Sequence, residues 1–83
     1  MQEYRPPTEE GRKQIVMRYL GGEKEESIRM SYSERGVSIG NIKSMASDPR
    51  VKSAVCLEKQ WTYDVYEQKL RMRASSGPER ASF

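Results

Sequence analysis

The chain has 83 residues, enough for one domain but not for a large core, so a sizeable sandwich or barrel is excluded. Hydrophobic residues make up 35% and charged residues 33%, a polar balance that suits a small helical domain. The net charge of +3 favours polyanions without the density needed to bind them by charge alone. With Cys56 as the single cysteine and no histidine, an intramolecular disulfide and a Cys/His zinc site are both excluded.

The first residues, Met-Gln-Glu-Tyr-Arg-Pro-Pro, lack the apolar centre of a secretion signal, and no apolar run approaches the roughly 20 residues needed to span a bilayer. A soluble, cytoplasmic protein is expected. Residues 1–7 end in Pro6-Pro7, which favours extended backbone, and read as an arm ahead of a single domain at 8–73. Thr8 is placed to cap a helix, Glu9 and Glu10 suit its first turn, and Gly21-Gly22 supplies its stop. Between them Ile15, Val16, Tyr19 and Leu20 form one apolar stripe, which predicts a helix over 9–20.

Residues 27–39 admit two periods. As a helix, Ile28 and Tyr32 share a face and Met30 projects sideways. As a strand, Ile28, Met30 and Tyr32 share a face, and a turn at Ser33-Glu34-Arg35-Gly36 leads into a second strand at Val37 and Ile39. The Glu-Lys-Glu-Glu run ahead of Ser27 is poor strand material, and an isolated hairpin is marginal. Beyond the turn, Ile39, Ile42, Met45 and Ala46 fit a helical stripe with Gly40, Asn41, Ser44 and Ser47 opposite. Gly40 costs such a helix roughly 1 kcal/mol relative to Ala, tolerable if something must approach closely there.

Asp48-Pro49 is a strong helix start. The helix behind it is expected to reach about Arg73 as one long element, burying Val51, Ala54, Val55, Trp61, Val65, Tyr66 and Leu70. So long a helix outruns its short partners, which leaves Trp61, Tyr63, Tyr66 and Leu70 as a surface for self-association or a protein partner. Residues 74–83 read as a disordered tail.

No catalytic constellation is visible. The usual general base at neutral pH is missing, Cys56 sits among core positions, and no cofactor or metal motif occurs, so the chain reads as a binder and not an enzyme. The helix-turn-helix reading carries a mechanism. Its second helix would enter the major groove of double-stranded DNA, with Asn41 bidentate to adenine, Ser44 and Lys43 beside it, and Gly40 allowing close approach. Arg29, Arg35, Arg50 and Lys52 would hold phosphates. Asn41 lies on the exposed face, so its removal is expected to leave stability unchanged.

Ile28-Arg29 followed by Tyr32-Ser33, the Ile39-Gly40 step and the run from Ser47 to Val55 resemble the DNA-binding region of phage terminase small subunits. There a helix end of the form Ile-Arg-Ala-Gly-Tyr-Ser precedes the recognition helix, and Asn-Pro-Lys-Val starts the next helix. Arg18-Tyr19-Leu20 and the run from Val37 to Ser44 are similar to the helix-turn-helix of sigma-factor region 4. These resemblances imply a mainly α fold with a helix-turn-helix and a long C-terminal helix, and a role in packaging viral DNA or in regulating transcription. Residues 48–63 also resemble a helix in one class of anti-CRISPR inhibitors. That resemblance implies the alternative function, a small interaction protein that inhibits a host enzyme by binding it, while the alternative fold, α+β with a β-hairpin at 27–40 packed on the long helix, follows from the alternation at 27–39.

Overall fold

The computed structural model describes residues 5–75. The described part is mainly helical, with five helices in the order α1 (Glu9–Leu20), α2 (Glu25–Ser33), α3 (Ile42–Ala46), α4 (Pro49–Lys59) and α5 (Tyr63–Ser75). No helix among these residues is long and apolar enough to cross a membrane.

The ends of α1 are set as its sequence predicts. Thr8 Oγ1 accepts from the Gly11 amide at 3.0 Å, and Glu9 and Glu10 sit in the first turn where the helix dipole favours acids. At the other end Gly22 takes φ 102°, and the amides of Gly22 and Glu23 donate back to the carbonyls of Tyr19 and Arg18. That is the paired arrangement of a Schellman stop. Ile15, Val16 and Tyr19 are fully or almost fully buried.

The two-period stretch is a helix. Ile28 and Tyr32 are buried together one turn apart, while Met30, which a strand would have placed beside them, is 64% exposed. The hairpin at 27–40 does not form. In its place, the chain turns through Glu34, Arg35 and Gly36, the last at φ 76°, and the amide of Val37 donates to the carbonyl of Tyr32. Arg5 is docked against this turn through an isolated parallel bridge with Val37, its amide donating to Gly36 and its carbonyl accepting from Ser38, while residues 1–4 of the expected arm lie outside the described part.

The helix after the turn is shorter than its stripe suggests. It spans only Ile42–Ala46, Asn41 is its cap, and Gly40 lies outside it, so the helical penalty expected at Gly40 does not arise. Ser47 closes α3, and Asp48 at once opens α4 by accepting from the Arg50 amide at 2.9 Å, with Pro49 in the first turn as expected.

The single long helix from Asp48 to Arg73 is not present. Gln60 adopts the left-handed conformation at φ 59° and ends α4, and after Trp61 the hydroxyl of Thr62 accepts from the Val65 amide at 3.2 Å, opening α5. The reason is length. An unbroken helix over those residues would measure about 37 Å, roughly twice the reach of α1, so most of it would pack on nothing. Breaking it at an elbow folds α5 back over α1 and α4. The tail begins later than expected, because Ala74 and Ser75 still belong to α5, and residues 76–83 lie outside the described part.

Two apolar clusters share α1. One joins Ile15 and Tyr19 to Ile28, Tyr32, Ile39 and Ile42. The other joins Val16 to Ala46, Val51, Val55, Cys56 and Tyr66. Leu20, Met45 and Leu70 pack against both, so α1 is the wall between them.

Candidate nucleic-acid interface

The polar face predicted over residues 37–47 exists, although only part of it is helical. Ile39, Ile42 and Ala46 are buried, whereas Ser38, Gly40, Asn41, Lys43, Ser44 and Ser47 are exposed. No acidic residue lies between Glu34 and Asp48, so this strip carries only positive side-chain charge. The side chain of Lys43 makes no ion pair among the described residues.

Asn41 does not play the part assigned to it. Its Oδ1 accepts from the backbone amides of Lys43 at 2.9 Å and Ser44 at 3.2 Å. A bidentate pair with adenine needs that oxygen free, so base reading by Asn41 would uncap α3. Its removal is therefore expected to cost stability and not to leave it unchanged. Ser47 is likewise engaged, its hydroxyl donating to the Lys43 carbonyl at 3.1 Å. That leaves Ser38, Lys43 and Ser44 with side chains that make no hydrogen bond or ion pair among the described residues, beside the bare backbone of Gly40. A methyl group added at Gly40 would meet nothing within 4 Å, and its φ is not in the left-handed range, so nothing in the fold requires glycine there.

The four expected phosphate contacts divide evenly. Arg29 Nη1 donates to the Ile39 carbonyl at 2.8 Å and its guanidinium lies 3.9 Å from Glu25, so it braces the turn before α3. Lys52 is held by the Glu67 carboxylate and lies 4.7 Å from the centre of the Tyr63 ring. Hydrogen bonding to Glu67 is the main cause that raises its pKa. Arg35 is exposed, resting 5.2 Å from the Tyr32 ring centre, and Arg50 is 86% exposed with only a loose 3.9 Å approach to Glu9. Sequence reasoning missed Arg5, which the bridge to Val37 brings to a groove shared with Arg35, Pro6, Tyr32 and Val37. Pairing between residues 32 positions apart leaves no local signal.

The aromatic surface assigned to the C-terminal half changes in the same way. Tyr66 is fully buried and its hydroxyl donates to the Ala46 carbonyl at 2.6 Å, and burial pushes its phenol well above the usual tyrosine range. Leu70 packs between the clusters, and Trp61 is half-buried under the Lys69 ammonium. Only Tyr63 of the four is openly exposed. Leu57, 83% exposed, was not expected on this surface. Cys56 is buried as expected, and desolvation raises the pKa of its thiol. Arg73 reaches back across α5 to donate to the carbonyls of Tyr19 at 2.8 Å and Glu23 at 2.7 Å, tying α5 to the end of α1. Compared with protein-family models, curated proteins and solved structures, the chain has no significant match.

Proposed function

We propose that this protein binds double-stranded DNA by presenting the strip from Ser38 to Ser47 to a groove. The observation that carries the reading is the acid-free, exposed strip around Lys43, together with a glycine at position 40 that the fold does not need. Close approach of a polyanion gives both features a purpose, since a bare backbone lets the duplex come near and an unpaired cation attracts it. Lys43 and Ser44 are the side chains offered to base edges, and Arg5, Arg35 and Arg50 replace Arg29 and Lys52 as phosphate partners. With α3 only five residues long, phosphate contacts dominate the affinity and base discrimination is modest.

The resemblance to small terminase subunits and to sigma-factor region 4 is consistent with this reading, and it suggests DNA packaging or transcription regulation as the setting. The hairpin expected in a host-enzyme inhibitor does not form at 27–40, and the resemblance of residues 48–63 that suggests such an inhibitor does not depend on it. Titration of a labelled random duplex at several salt concentrations tests the proposal. Roughly three to four neutralised phosphates give a log–log slope of about −3 in affinity against salt. Absence of duplex binding at low salt, or binding indifferent to salt, would contradict it.

A further inference from the structure

The elbow between α4 and α5 carries an apolar surface that the fold leaves uncovered. Leu57 and Tyr63 are 83% and 54% exposed, and with Trp61, Gln60 and Ser53 they line a shallow groove over Cys56. The charges around it are almost all engaged. Lys52 pairs with Glu67, Glu58 pairs with Lys13 at 3.2 Å, and Lys69 lies 5.1 Å from the Trp61 ring centre.

Two charges are left over. Lys59 ends α4 next to Gln60, and Asp64 follows Tyr63 in the first turn of α5. Both are exposed, and neither makes an ion pair with any described residue. Lys59 adjoins Gln60 and Asp64 adjoins Tyr63 in the chain, so the apolar groove has one unpaired cation and one unpaired anion next to its lining, a combination that a second copy can match. A two-fold axis through the groove turns Lys59 of each copy toward Asp64 of the other while Leu57 and Tyr63 meet at the centre. We propose that the elbow is a homodimer interface, with a second copy of this chain as its occupant and two reciprocal Lys59–Asp64 pairs closing its rim. The proposal stands without DNA binding, because the elbow shares no residue with the strip around Lys43. Where both hold, the dimer offers two strips to a pair of half-sites.

Sedimentation velocity on the full chain, from micromolar to millimolar concentration at low salt, is the test. The wild type should shift from monomer to dimer, and Leu57→Glu should weaken the association at least tenfold with an unchanged circular dichroism spectrum. Lys59→Asp and Asp64→Lys should each weaken it as well, since each places like charges across the axis. An equimolar mixture of those two variants should recover the dimer, because each then meets its opposite. A wild type that stays monomeric at millimolar concentration would assign the groove to another occupant and overturn the proposal. A mixture no better than its components would overturn it too.

Discussion

The half of the molecule built from α2, the turn and α3 and the half built from α4 and α5 each close an apolar cluster on α1, and they differ in how the segment joining their helices is held. In the second, Val51, Val55, Cys56 and Tyr66 close on Val16 as a continuous apolar cluster, and the elbow serves that packing. In the first, the segment from Glu34 to Asn41 is anchored by Val37 and Ile39 and otherwise by single polar links. These include the Val37 amide bond to the Tyr32 carbonyl, the Arg29 bond to the Ile39 carbonyl, the Arg5 bridge to Val37, and the Asn41 cap. Packing resists deformation over a whole surface, whereas a link holds one point and leaves its neighbours exposed. The linked half is therefore the one able to present backbone and short side chains to a large partner.

The largest effect should come from breaking the packed half. Tyr66→Ala removes a fully buried ring together with its hydrogen bond and should cost about 3–5 kcal/mol in chemical denaturation, enough to threaten folding in so small a domain. A loss near that of a surface substitution would mean that the elbow does not anchor the core. The same residue predicts a pH dependence. Its folded pKa lies above the unfolded one, so the stability it contributes is intact below about pH 10 and declines as pH rises beyond that. Tyr66→Phe should remove this part of the alkaline loss, and an identical alkaline profile in the variant would assign the loss to other groups.

Next come the caps that bound the linked half. Asn41→Ala and Asp48→Ala should each cost about 0.5–2 kcal/mol, since each side-chain oxygen holds amides that would otherwise go unpaired at a helix start. An Asn41 variant with an unchanged denaturation midpoint would return that side chain to the role of a base reader. The smallest effect on stability is expected at Gly40. Gly40→Ala meets no atoms and should be neutral or stabilise by up to about 1 kcal/mol through the unfolded chain. The same change should weaken duplex binding, and a variant that binds as well as wild type would remove glycine from the interface.

Much of this architecture is legible in the sequence wherever the signal is local. Thr8 and Gly21-Gly22 bound α1, and Asp48-Pro49 opens α4, because caps and stops act within a few residues. Asn41 was equally legible as a cap, standing just before Ile42, but its place on a polar stripe suggested a reader of bases. The elbow was not legible. Trp61, Val65, Tyr66 and Leu70 fit a continuous helical stripe, and Gln60 is no helix breaker. Its left-handed backbone follows from what α5 gains by folding back on α1. Nor could local pattern show that Arg73 serves the carbonyls of Tyr19 and Glu23, or that Glu67 occupies Lys52. Of the candidate interface, the strip and its charge were readable, while the division of its cations into free and engaged was a tertiary fact.

The central claim, that the linked half presents DNA-binding groups, is tested most directly by two matched charge reversals. Lys43→Glu and Lys24→Glu change the net charge equally at exposed positions whose side chains make no ion pair among the described residues. One lies in the strip, and the other stands at the N-terminal end of α2, where its side chain makes no capping bond. Duplex affinity at low salt should fall at least tenfold for Lys43→Glu and only slightly for Lys24→Glu, with both denaturation midpoints close to wild type. Equal losses from the two variants would mean that net charge alone attracts DNA, and that the strip is not the interface.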